Sequence, residues 1–441
     1  LDSRSEVFHG GLVDIVNLQH GMRIAHRECC DFQLPVIDLQ PIGLGAPVRD
    51  KRDIGRPQSR FAHVDAYFGP AELQGAAEEA ALTLDQILTA SQDLAARLAA
   101  IDAQDTMLVM RIDALLARLR ALDTRIAINK GEYLDFDDES LALFGSRAPQ
   151  YDAAHFQDIL DRIDALLPGD GPLARRVETF NDQFVIELDK LPAVFEAAMA
   201  ECRRRTKEHI DLPERESFTI EYVNDKPWSG YNWYQGNAQS LIKINPDFPI
   251  YISRAVDLGC HEGYPGHHTF NALLEANLVE GQGWIEYSLY PLFSPQSLIA
   301  EGSGNYGIEL AFPGDERMAF EKEVLFPLAG LDAADADLYY EIQGLAAQLN
   351  FAGNEAARAY LNGDMTREEA AQWLQDYAMS PEDRSLQRMR FIDAYRSYVI
   401  NYNHGKAMVA DYVERDDPDL EERWARFEKL LSSPMLPKDL Q

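Results

Sequence analysis

From residue 70 to about 209, apolar residues return at helical spacing. That one pattern restricts the chain to folds built mainly from packed helices. Leu108, Ile112, Leu115, Leu116, Leu119 and Leu122 follow one another at steps of 4, 3, 1, 3 and 3, the stripe of an amphipathic helix. Leu84, Ile87, Leu88, Leu94 and Leu98 behave similarly. Residues 168–172 (PGDGP) break two such helices, so the region is expected to form antiparallel helices joined by short turns. Helical periodicity resumes near Ser253 and runs almost to the end. Thr366 with Glu369 forms a capping box just after an Asn362-Gly363 stop, and Ser380-Pro381 with Asp383 is expected to open the next helix in the same way. Between the helical stretches, residues 217–223 (SFTIEYV) and 240–245 (SLIKIN) have strand character. They flank the aromatic, glycine-dotted segment 227–236 (PWSGYNWYQG). No repeat of domain-array length is visible.

Composition limits the partners. Asp and Glu number 73 against 41 Lys and Arg, a net charge of −32, which repels nucleic acid and anionic membrane and attracts cations. With 46% hydrophobic residues there is ample core, and no apolar run is long enough to span a bilayer. The first residues show neither a charged nor an apolar leader segment, so a cytoplasmic location is expected, although a chain starting at Leu leaves processing open. Four cysteines do not make a disulfide scaffold. Cys29-Cys30 are read as ordinary thiols of a reducing compartment, and His9, His20 and His26 lack partners at metal spacing.

The chemistry is concentrated in residues 260–269 (CHEGYPGHHT), where three of the ten histidines fall. In the zinc peptidase motif HExxH, two imidazoles one turn apart hold the metal and the Glu beside the first acts on a water. Here the position four after His261 is Pro265, and the next histidines are His267 and His268. An unbroken helix favours His268, because seven residues turn a side chain by about 340°. Pro265 makes such a helix implausible, and a two-residue bulge at Pro265-Gly266 favours His267, leaving His268 as a supporting or substrate contact. Cys260, one residue from His261, points elsewhere on a helix. A third ligand is expected on a following helix, and residues 299–306 (IAEGSGNY) supply Glu301. Asn305, one turn on, is a candidate to fix the tautomer of a ligating histidine.

HEGYPGHH followed by AEGSGNYG resembles the bacterial domain-of-unknown-function 885 family, relatives of the gluzincin zinc peptidases. Residues 63–70 (HVDAYFGP) are similar to its N-terminal signature, and the stretch from Met365 to Gly405 to its closing helices. The resemblance covers roughly residues 63–411. It implies His261, His267 and Glu301 as metal ligands and Glu262 as general base. The common family form EGWALY is replaced here by EGSGNY.

These readings predict a mainly α (α+β) fold: a large helical body around a zincin-like core, with a small mixed sheet preceding the metal-binding helix. The expected divisions are an unassigned 1–62, a helical lobe 63–210, a metal-binding core 211–311 and a C-terminal helical lobe 312–441. The expected function is zinc-dependent hydrolysis of small peptides with one Zn2+ per chain. Rival readings are a non-catalytic metal-binding protein and a zinc hydrolase of a non-peptide amide or ester. Oxyanion donors are sought among Tyr398, Tyr402, His404 and Arg396. Strand 240–245 is expected to receive an extended peptide, and Trp228, Tyr231, Trp233 and Tyr234 to line a cleft or the core. If the cleft shares the overall charge, cationic or neutral peptides are preferred over acidic ones.

Overall fold

The computed structural model describes residues 64–69, 82–226 and 228–441. His9, His20, His26, Cys29, Cys30 and His63 lie outside them. The first long helices form where the stripes place them. Helix α1 (Leu84–Ala99) starts at a capping box between Thr83 and Gln86, and α2 (Thr106–Asn129) starts at Asp105, whose carboxylate accepts from Leu108 N. Ile87, Leu94 and Leu98 of α1 pack on Ile112, Leu115, Leu119, Leu122 and Ile126 of α2 in an apolar cluster of their own. Helices α3 (Phe136–Phe144) and α4 (Leu191–Lys207) join the main core, which draws on residues from Ala66 to Leu440.

Two small sheets interrupt the helices. Strands β1 (Val64–Tyr67) and β5 (Leu289–Pro291) pair antiparallel. Strands β2 (Ser217–Tyr222), β3 (Gly230–Gly236) and β4 (Gln239–Ile244) form the sheet expected from their alternation, in the order β2-β4-β3. From Gly230 on, the aromatic segment is therefore itself a strand, which its composition had not suggested. Its hairpin with β4 turns through Asn237 and Ala238, both at positive φ. The Glu275 carboxylate accepts from the backbone N–H of both, each at 2.9 Å, and so holds a conformation that alanine disfavours. β4 is paired on both sides, parallel to β2 and antiparallel to β3. It cannot receive a peptide along its backbone, contrary to the expectation for residues 240–245, because its N–H and C=O groups already have partners. Among the described strands, β2 and β3 are the edges.

The centre of the molecule holds α5 (Ser253–Leu258), α6 (His267–Leu274), α7 (Pro295–Ala311), α8 (Ala352–Asn362), α9 (Glu382–Tyr395), α10 (Ile400–Val413) and α11 (Leu420–Ser432). Helix α8 ends at Gly363 in the left-handed region, and the next helix opens on the Thr366–Glu369 box, as expected. α9 departs from expectation. Its N-cap is Pro381 without a side-chain hydrogen bond, since the Ser385 hydroxyl instead reaches back to the Ser380 carbonyl. Arg396 and Tyr398 sit in a 3₁₀ turn between α9 and α10.

Cys202 of α4 and Cys260 are joined in a disulfide across 58 residues of sequence. Such bonds are rare in reducing compartments, which weighs against the cytoplasmic expectation. Among the described residues no helix is long and apolar enough to cross a membrane.

Candidate metal centre

Helix α5 aims the motif. Its Asp257 carboxylate takes Arg254 at 3.0 Å and Arg317 at 2.8 Å. Burial alone would raise this carboxyl, but the two guanidinia hold it below the usual range, so it stays charged and pins the helix. Beyond Leu258 the helix widens into a π turn over Gly259–Gly263, which carries His261 and Glu262. Single π turns inside helices recur at functional sites because they re-aim side chains. The helix then stops. Tyr264 is extended, the Tyr264–Pro265 peptide is cis, and Gly266 N donates to the Cys260 carbonyl at 2.9 Å. A new helix, α6, begins at His267. The two extra residues of the motif are thus absorbed by a break, not by a bulge within one helix.

The break sets the His267 ring against His261, with centroids 4.6 Å apart at 80°. From α7, Glu301 Oε2 comes within 3.3 Å of His261 Nε2 and 3.8 Å of His267 Nε2. One donor atom from each of the three residues lies within 4.8 Å of the others. Donors around a four-coordinate ion with bonds of ~2.0–2.2 Å lie ~3.4 Å apart, close to these separations. Glu301 Oε2 is buried without an aligned hydrogen-bond partner, whereas Oε1 accepts from the Tyr398 hydroxyl at 2.8 Å. A buried carboxylate oxygen without an aligned hydrogen bond, facing two imidazole nitrogens, has the donor chemistry of a cation ligand. The donor set therefore fits a divalent metal.

The three groups sit in different electrostatic surroundings. Burial would raise the Glu301 carboxyl, but His261 and His267 hold it below the usual range, so it is anionic. Burial pushes His267 down to about 4, with His261 adding to the effect, so this imidazole is neutral at pH 7 with a lone pair available. Burial also opposes a charged His261, but Glu301 and Glu262 outweigh it and raise its pKa.

Glu262 is outside the trio. Its carbonyl accepts from Asn232 Nδ2 at 2.6 Å, which ties the π turn to β3. The carboxylate faces the start of β3: a Cβ on Gly230 would lie 3.0 Å from Glu262 Oε1.

The other candidates separate. Tyr398 braces Glu301, as just described. Tyr402 is held well above its ordinary value by burial and then by Glu301, so its phenol stays protonated; its hydroxyl makes no hydrogen bond among the described residues. Asn305 does not steady an imidazole. Its amide donates to the Tyr402 carbonyl at 3.1 Å and so joins α7 to α10. Arg396 is not available as an oxyanion donor, because its guanidinium is committed to Glu139 at 2.7 Å and lies over the Tyr133 ring. His404 pairs with Ser146 Oγ at 2.8 Å, and burial lowers its pKa. His268 is fully buried, with Nδ1 2.8 Å from Ser240 Oγ and Nε2 3.4 Å from Glu216 Oε2, so it ties α6 to the sheet and is not open to substrate. Cys260 is bonded to Cys202 and is not a ligand. Of the aromatics on and before β3, Tyr234 is buried and donates to Glu275, whereas Trp233 is exposed on the other face.

One residue at the site had escaped notice. Gly304, three residues after Glu301, lies against the His261 ring; a Cβ there would be 2.9 Å from Nδ1. The available signal was glycine at both 302 and 304 in a helical stretch, which is costly unless something approaches closely.

No family model and no curated protein matches this chain. Among solved structures it is similar to a putative lipoprotein from Colwellia psychrerythraea, at 14% identity and TM-score 0.48, over 79% of this chain and 69% of that one. It is also similar to an M32 carboxypeptidase from Deinococcus radiodurans R1, at 12% identity and TM-score 0.45, over 97% of this chain and 89% of that one. Neither similarity is close enough to bear on what this chain does.

Proposed function

We propose that this protein is a zinc-dependent hydrolase of peptide bonds, with His261, His267 and Glu301 as ligands and Glu262 as general base. The observation that carries this reading is the buried Glu301 Oε2, which faces two imidazole Nε2 atoms without an aligned hydrogen bond. Zinc in a His2Glu set supplies Lewis acidity and brings the pKa of a coordinated water to ~7. Glu262, beside the ligands but not among them, accepts the proton of the attacking water on its carboxylate and returns it to the leaving amine. Tyr398 orients Glu301 through Oε1. Tyr402, protonated and with an uncommitted hydroxyl, supplies the donor to the developing oxyanion. An extended substrate lies along β3, the edge strand bonded to the Glu262 carbonyl, rather than along β4.

The test is elemental analysis of protein purified without chelator, together with cleavage of a mixed peptide library by wild type and Glu262→Gln. About one metal per chain is expected in both. Cleavage by Glu262→Gln should fall by roughly 10²–10⁴-fold. Absence of stoichiometric metal, or metal-dependent cleavage that survives the substitution, overturns the reading.

A further inference from the structure

Helix α9 presents Arg384, Arg388, Phe391 and Tyr395 at steps of 4, 3 and 4, one face of the helix. Arg388 is half-buried, yet it makes no hydrogen bond or ion pair among the described residues. Its guanidinium carbon lies 4.9 Å from the centre of the Phe391 ring, and Nη2 packs 3.6 Å from where a Cβ on Gly353 of α8 would be. One turn earlier, Arg384 lies 3.9 Å over the Phe248 ring and donates to Gln387 Oε1 at 3.5 Å, with no ion pair among the described residues. Among the described residues Arg125, buried over the Phe293 ring, also lacks a carboxylate, but its Nε and Nη1 are sealed from solvent, whereas the nitrogens of Arg388 are not. Arg111, Arg317, Arg358 and Arg396 each take a carboxylate.

The place of Arg388 gives this contrast a meaning. Phe391 lies 6.3 Å from the Tyr402 ring, and Tyr402 lies 5.8 Å from Tyr398, which donates to Glu301. The charges of Arg388 and Glu301 both reach the Tyr402 phenol, with opposite signs. Neighbouring atoms crowd Arg388 enough to lower its basicity. Withdrawing an unpaired cation from water costs stability, and a stacked phenylalanine offsets only part of that cost. A cation kept without a protein partner and still within reach of solvent is free to take an anionic ligand.

We propose that Arg388 is a substrate-binding residue that takes a carboxylate of the peptide, either its C-terminal group or an acidic side chain. This rests on the reading of the metal centre as hydrolytic. It reverses the preference suggested by net charge alone: the chain is acidic overall, but a guanidinium without a protein partner among the described residues stacks on Phe391, the ring next to Tyr402.

The test uses zinc-loaded Glu262→Gln, which binds peptides without turning them over, and isothermal titration with two pairs of N-acetylated peptides. One pair differs only in a free against an amidated C-terminus. The other is amidated and differs only in Glu against Gln. In at least one pair the acidic member should bind roughly tenfold or more tightly, the usual contribution of a charge-assisted hydrogen bond. Which pair shows the gap identifies the source of the carboxylate. Adding Arg388→Met should abolish the gap, Arg388→Lys should retain part of it, and the melting temperature of the Met variant should hold or rise. Equal binding within both pairs, no binding by any of the four, or a gap that survives Arg388→Met overturns the proposal. If the Met variant does not fold, the Lys variant and the parent ratios still decide. Wild-type cleavage is read separately. A gap without metal-dependent cleavage removes the hydrolase and leaves the carboxylate site; cleavage without a gap does the reverse.

Discussion

At the candidate metal centre the two oxygens of Glu301 have different surroundings. Oε1 accepts from Tyr398, while Oε2 faces the two imidazoles without an aligned hydrogen bond. The Tyr398 hydroxyl fixes the carboxylate plane before any cation arrives, and an oriented ligand loses less freedom on binding. Tyr398→Phe should therefore weaken zinc affinity by about tenfold or more while leaving the fold intact. Competition against a chromogenic chelator measures this, and unchanged affinity would show that the hydrogen bond does not orient the ligand. The residue types at this site were legible in the sequence, because histidine and glutamate carry ligand chemistry wherever they stand. The commitments of Arg396 and His404 were not. Glu139 and Ser146, which claim them, lie more than 250 residues away in the chain.

Glu301 is held in place by a helix crossing. Where α7 meets α10, a Cβ on Gly302 would lie 2.5 Å from the Gly405 carbonyl carbon, so both positions require a bare backbone. Gly405→Ala should cost about 1–3 kcal/mol, as overpacking does, and should lower zinc occupancy by moving α7. Urea denaturation with metal analysis tests it; a stable, fully loaded variant would show that the crossing tolerates separation. Among the elements, α1, α2 and the helix opened by the Thr366–Glu369 box were read correctly, since period and caps are local. The cap at Ser380-Pro381, the bulge at Pro265-Gly266 and the role of β4 were not. Whether a strand is central or an edge depends on which neighbours pair with it, and alternation within the strand does not encode that.

Across the whole molecule, a net charge of −32 leaves many acids on the surface, but some serve as interior anchors. Glu216 is one: Arg203, Tyr264 and His268 converge on it from α4 and from both sides of the motif break. Burial would raise this carboxyl, but hydrogen bonds from His268, Tyr264 and Arg203 depress it to about 2. A carboxyl depressed in the folded state stabilises above its unfolded pKa, near 4.5. That contribution is lost as pH falls through the folded value, so the window runs from about pH 4.5 down to about 2. The contribution near neutrality is on the order of 3 kcal/mol. Glu216→Gln should lower stability at pH 7 and flatten the decline between pH 4.5 and 3. Denaturant titrations across that range measure it; parallel curves for the two proteins would refute the assignment.

The sequence by itself determined the helical class, the position of the small sheet and the candidate ligand types, because hydrophobic period, turn chemistry and side-chain donors belong to short windows of chain. Only the tertiary structure decided that His267 rather than His268 faces His261. That choice depends on a chain break at Tyr264-Pro265 and on Ser240 and Glu216 claiming the second imidazole. It also decided that Arg396 finds an acid while Arg388, eight residues earlier, finds none among the described residues. Both are arginines little more than two helical turns apart in one chain. Which of them is neutralised depends on side chains that reach it from distant segments, and packing alone brings those together.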